Sequence, residues 1–192
     1  MRLVSLLPIL ALTGCVATTH EDCAVDYEAE RMAELAAIEQ GMQVMVDIPE
    51  AERTDEQRAV VEAAMAIRES RERVADRKDL EIVRRAKVIM RDADQWNRED
   101  ERDCERRDQG VSLFCSLVDA SLAATGTYVH RRTVIQEVRY AVEEASVGRD
   151  YEHRLQDFNN DPDFTRADMI AVLEVAEDRL SRRLLRQAAC AL

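Results

Sequence analysis

The stretch EIVRRAKVIMRDADQW, Glu81 to Trp96, decides the fold. Its apolar residues Ile82, Ala86, Ile89, Ala93 and Trp96 recur at spacings of four, three, four and three. On an α-helix such a repeat forms one narrow stripe, the seam along which helices pack nearly antiparallel in a bundle.

Upstream, Val60, Val61, Ala64 and Ile67 mark the early part of the same long, charged helix, and Thr54 with Gln57 forms a capping box at its start. The intervening RESRERVADRKD is mostly polar and leaves room for a kink or break between Arg73 and Asp79. Further upstream, Met32, Leu35, Ile38, Met42 and Met45 place a first helix from Asp26 to about Val46, stopped by DIPE around Pro49. Downstream, NREDERDCERRDQG, Asn97 to Gly110, alternates in charge and reads as a solvated helix end running into a corner at Asp108 to Gly110. VSLFCSLVDASLAATGTYV, Val111 to Val129, carries one formal charge, Asp119. Its Ser, Thr, Gly and Asp make membrane insertion costly, so it reads as a buried central helix. An amphipathic helix with Val134, Val138, Ala141 and Ala145 follows, then a short one around Tyr151 to Phe158. A last helix from about Thr165 carries Met169, Leu173, Ala176, Leu180 and Leu184. Arg179, Arg182, Arg183 and Arg186 fall in its final turns, where they complement the helix dipole.

Composition agrees. The chain has 192 residues, is 46% hydrophobic but only 4% aromatic, and contains five Gly and three Pro, little turn material for a many-stranded sheet. The expected fold is all-α: a single antiparallel bundle of about five to six helices over residues 24–192. A net charge of -12 argues against nucleic acid, whose affinity comes from Lys and Arg neutralising phosphates. It argues equally against flat adhesion to anionic lipid.

The opening MRLVSLLPILALTGC has one positive charge at Arg2, an apolar segment from Leu3 to Leu12 and small residues before Cys15. This is a secretory signal layout, too short to span a bilayer comfortably. LTGC, Leu12 to Cys15, resembles the lipobox of bacterial lipoproteins. The resemblance implies that residues 1–14 are removed and that Cys15 is lipidated and becomes the new N-terminus. Residues 15–23 are then a short tether, and the protein's contact with the membrane is the lipid on Cys15. Val16 follows that cysteine, where an Asp would favour retention at the inner membrane, so the resemblance implies the outer membrane, facing the periplasm.

Setting Cys15 aside leaves Cys23, Cys104, Cys115 and Cys190, an even number for an oxidising compartment. Cys104 and Cys115 would lie about 16 Å apart along one straight helix, at roughly 1.5 Å per residue, and could not bond. If the chain reverses at Gln109 and Gly110 they are equidistant from the turn. That pairs Cys104 with Cys115 and leaves Cys23 with Cys190 as a clasp between the first and last helices. There is no CxxC motif, and hence no support for a thioredoxin-like redox site or a zinc knuckle.

The run DFNNDPDFTRAD, Asp157 to Asp168, resembles an EF-hand calcium loop, with Asp157, Asn159, Asp161, Asp163, Thr165 and Asp168 at the oxygen-donating positions. It departs from that pattern at Pro162, where the loop needs Gly, and at Asp168, where it needs a longer bidentate Glu. The favoured expectation is an Asx-rich turn in which Thr165 caps the last helix and Asp168 completes its box, with no metal bound.

For catalysis the sequence offers little. His130 sits beside Arg131 and Arg132, which would depress its protonation; His20 lies in the tether, and His153 on a short polar helix. There is no GxSxG, HExxH or glycine-rich phosphate loop. Glu143 and Glu144, adjacent in sequence, diverge around a helix. The expectation is a lipid-anchored protein without enzyme activity or cofactor that binds an envelope protein in a structural, assembly or inhibitory role. Alternatives are a periplasmic ion or small-molecule sensor built on the Asp157 to Asp168 loop, and an envelope hydrolase.

Overall fold

A computed structural model describes residues 27–70 and 73–190, and within them the chain is all-α. Seven α-helices follow in order: α1 (Tyr27–Asp47), α2 (Asp55–Arg68), α3 (Arg77–Asp92), α4 (Leu113–Thr125), α5 (Thr133–Ala145), α6 (Arg154–Asn160) and α7 (Arg166–Cys190). The excess over five to six comes from the long charged helix, which divides into α2 and α3 at the polar stretch that left room for a kink or break.

Both halves start on capping boxes. The Thr54 hydroxyl accepts from Gln57 N at 3.2 Å while Gln57 Oε1 accepts from Thr54 N at 2.9 Å. Asp76 and Asp79 exchange the same pair of bonds, each at 2.9 Å, at the head of α3. The Asp79 carboxylate is buried, pairs with Arg132 at 2.9 Å and accepts from Val134 N, which ties the start of α3 to the start of α5. Burial raises its pKa despite Arg132.

Helix α3 is the axis of the bundle, with Ile82, Val83, Ala86 and Met90 fully enclosed between α4, α5 and α7. Arg84 and Lys87 pair with Glu177, and Arg91 with Glu174. Rising numbers on α3 thus meet falling numbers on α7, and the two run antiparallel. Arg166 at the head of α7 closes the arrangement, its guanidinium donating to the carbonyls of Met90 and Arg91 at 2.6 Å. These are carbonyls of the last turn of α3, which has no later helical N–H to receive them.

Three expectations need correction. The seam leaves the helix before its end: α3 stops at Asp92, Ala93 is extended, and Trp96 instead pairs with Val111 in an isolated parallel bridge. Packing the half-buried indole against the core calls for a partner for its N–H, and Asn159 Oδ1 provides one at 2.9 Å. The 97–110 stretch is not a helix end but an irregular loop. Side chains of Asn97, Asp100 and Asp103 each accept from the backbone N–H two residues on, the local bond with which Asn and Asp compete against helix. The arginines of α7 do not complement a helix end, because the helix continues to Cys190. Arg179 and Arg183 instead pair with Glu144 and Glu137 of α5, and Arg182 with Asp178.

The main apolar core runs from Ala75 to Leu180 and draws on α3 to α7. The α1–α2 hairpin packs beside it through its own contact, where Gly41 meets Ala64: a Cβ on Gly41 would lie 2.2 Å from that of Ala64. Polar links join the hairpin to the rest, among them Arg31 to Asp76 at 3.1 Å and Arg73 to Glu34 at 3.9 Å.

Candidate functional site

The six oxygen donors of the Asp157 to Asp168 run do not converge. Asp157 lies on α6 and accepts from His153 N at 2.7 Å. Asp161 accepts from the Tyr151 hydroxyl at 2.7 Å, which holds its carboxyl below the ordinary range, and Asp163 pairs with Arg149. Asp168 Oδ2 accepts from both the backbone N–H and the hydroxyl of Thr165, at 2.7 Å each. The expected box is therefore half formed, with the Thr165 hydroxyl turned to the carboxylate. Asn159 is wholly buried: its Oδ1 takes the Trp96 indole and Leu113 N, and its amide donates to Asn97 O at 2.7 Å. Among the described residues no group of three His, Cys, Asp or Glu is placed to hold a metal ion.

What the α6 segment holds instead is the 93–112 loop. Asn160 accepts from Asp100 N and donates to Asp100 O, and Gln156 donates to the same carbonyl at 2.7 Å. From the other side the loop is fastened by the disulfide Cys104–Cys115, Cα atoms 5.2 Å apart, the pairing expected from a reversal at Gln109 and Gly110. Gly110 makes that reversal at φ +89°, where a Cβ would strike the Gln95 carbonyl oxygen at 2.6 Å. Cys15, Cys23 and the Cys190 side chain lie outside the described residues.

Thus secured, the loop delivers Arg102 into a cleft of about 410 Å³. Arg68 and Glu69 come from the end of α2, His130 from the turn after α4, Arg139 from α5, and Tyr151 to Gln156 from the entry into α6, with Phe114 forming an apolar wall. Four guanidiniums, those of Arg68, Arg102, Arg139 and Arg154, face two carboxylates, Glu69 and Glu152. An excess of positive charge thus gathers inside a chain whose net charge is -12.

Neutralisation within the cleft is incomplete. Arg154 reaches Glu69 and Glu143 only at 3.9 and 3.7 Å. Arg68 Nε is buried without a hydrogen-bond partner, its nearest carboxylate oxygen, on Glu69, being 3.7 Å away. Arg139 has its guanidinium on His130, Nη2 to Nε2 2.6 Å, and burial lowers its pKa. Arg102 sits in the left-handed region at φ +61°, held there by the bond from its N–H to Asp100 Oδ1 and by the crosslink two residues on. For a non-glycine residue that conformation costs on the order of 1 kcal/mol. Gln156 Oε1 is a buried acceptor with no donor.

His130 reports the field. Burial first, then Arg139, Arg68, Arg131 and Arg102, push its pKa down to about 4. A neutral ring protonated on Nδ1 accepts from Arg139 at Nε2 and donates to the Tyr128 hydroxyl, 3.2 Å away. The expected direction was correct, but the neighbours responsible are mainly arginines remote in sequence. Arg132 is not among them, being turned to Asp76 at 2.7 Å and Asp79 at 2.9 Å.

Sequence reasoning did not find this cleft. Arg68, Arg102, Arg139 and Arg154 are 34, 37 and 15 residues apart in a chain with 27 Lys and Arg, and no spacing singles them out. The one signal was the run of basic residues beside His130. No curated protein and no solved structure matches the chain. Residues 74–179 match a family of unknown function, DUF6197. The matched stretch is more than half of the chain and takes in α3 to α6 and the first half of α7, nearly the whole of the main core. The chain therefore belongs to the DUF6197 family.

Proposed function

We propose that this protein is a bacterial lipoprotein, held by lipid on Cys15 at the periplasmic face of the outer membrane. It works there as a binding protein for another envelope component, and the arginine-lined cleft receives an anionic group of that component. LTGC and the short tether support the anchor. The observation that carries the binding role is the convergence of four guanidiniums from separate elements on one cleft with half as many carboxylates. Arginine's fixed fork of donors suits carboxylate and phosphate groups. The lining supplies guanidiniums, imidazoles and rings, and its one hydroxyl, on Tyr151, is raised in pKa by burial and by its bond to Asp161, which favours binding over nucleophilic catalysis.

Two measurements test this. Metabolic labelling with palmitate should mark the wild-type chain and not Cys15→Ser, which should leave the membrane fraction; label retained on Cys15→Ser would remove the anchor. A photo-cross-linking residue at Glu152, on the exposed rim, should capture one envelope species in intact cells, and Arg139→Met should abolish the capture. A capture pattern indifferent to Arg139 would remove the cleft from the binding role.

A further inference from the structure

We propose that the cleft is a site for a phosphate monoester, the dianionic head held among Arg68, Arg102, Arg139 and Arg154 and the organic part laid against Phe114 and Tyr151. This rests on the reading of the cleft as the binding site and names the ligand class.

The charge count comes first. Four guanidiniums against the two carboxylates of the lining leave an excess of two positive charges on it, partly offset by Glu143 behind Arg154, with His130 neutral. A phosphate monoester at neutral pH carries about -1.5 to -2, whereas a carboxylate or a phosphodiester carries one charge. Donor geometry points the same way. The arginines enter from α2, the 93–112 loop, α5 and α6, around the cleft rather than along one wall, as a group with three acceptor oxygens requires. A volume of about 410 Å³ exceeds what a bare phosphate needs and falls in the range of small-molecule sites. Phe114 packs edge-on to Tyr128, ring centroids 5.7 Å apart, and Tyr128 in turn contacts His130, so the apolar wall is braced.

His130 provides a readout independent of affinity. The groups that face it are Arg139, Arg68, Arg131, Arg102 and Tyr128. A bound dianion offsets the arginines, so the imidazole becomes easier to protonate when the site is filled.

The experiment is a calorimetric titration of the purified full chain, in detergent, with inorganic phosphate, phenyl phosphate, diphenyl phosphate, phenylacetate and dihexanoyl phosphatidic acid. Phenyl phosphate should bind about tenfold or more tighter than diphenyl phosphate or phenylacetate, as charge-assisted bonds to a second negative charge require. Arg139→Met should weaken phenyl phosphate by about tenfold or more. So should Arg154→Met, at a more exposed position whose replacement spares the core, while Arg182→Met, paired away from the cleft with Asp178, should leave it unchanged. The His130 titration followed by NMR should move up by about one pH unit with phenyl phosphate bound.

Tighter binding of dihexanoyl phosphatidic acid than of phenyl phosphate assigns the monoester to a lipid headgroup, and the reverse assigns it to a soluble phosphoester. Either supports the site. Phenyl phosphate bound no tighter than phenylacetate, or insensitive to both cleft variants, overturns it. If phosphate probes fail while Arg139→Met still abolishes the Glu152 capture, the ligand class is wrong and the binding role stands. If they succeed while capture persists, the phosphate site stands and the partner docks elsewhere.

Discussion

His130 shows how little of a residue's chemistry is set by its neighbours in sequence. Arg131 is one of the groups that suppress its charge, but burial comes first and Arg139, nine residues on, is the leading arginine. Because the folded-state pKa of about 4 lies below the ordinary 6.5, the unfolded chain takes up a proton across that window and the folded chain does not. Stability is therefore complete above pH 6.5 and declines as pH falls towards 4. At this rim position, screened by solvent, the decline attributable to His130 should be on the order of 1 kcal/mol. Urea denaturation at several pH values should show a shallower decline for His130→Asn than for the wild type, and equal slopes would contradict this. Asn159 teaches the complementary point. In the sequence it stands at one of the oxygen-donating positions of an EF-hand-like run that reads better as an Asx-rich turn, and folding buried it as the joint between Trp96, Leu113 and Asn97.

Among elements, those whose instructions are local were legible. The Thr54 box starts α2, the seam from Ile82 to Ile89 runs along α3, and the polar stretch between them is a break. Illegible were the places where a distant partner decides: the release of Trp96 from helical register, and the continuation of α7 past the arginines. The α1–α2 hairpin depends on a close approach of this kind, since Gly41 admits Ala64 where a side chain would collide. Gly41→Val should force the two helices apart at a cost of roughly 1–3 kcal/mol, the usual range for overpacking. Hydrogen exchange should accelerate across residues 27–68 and remain unchanged across α3 and α7. Equal acceleration of α3 would mean that the hairpin and the main core unfold as one.

The whole molecule combines a core from Ala75 to Leu180, nearly coincident with the family match at 74–179, and a hairpin that precedes it. A fragment of residues 73–192 should accordingly fold cooperatively with the helices α3 to α7. It should nevertheless bind phenyl phosphate about tenfold more weakly, because Arg68 and Glu69 leave with α2. Circular dichroism on heating and the same calorimetric titration check the two halves; a fragment that fails to fold would place the hairpin within the core. By itself, the sequence determined the helical class, most helix starts, the turn at Gly110 and the Cys104–Cys115 crosslink. Periodicity, caps and loop length act over a few residues and are written where they act. Only the tertiary structure decided the cleft, because electrostatic potential depends on distance in space. Four arginines scattered over 87 residues become a site only once α2, the crosslinked loop, α5 and α6 are packed around one cavity.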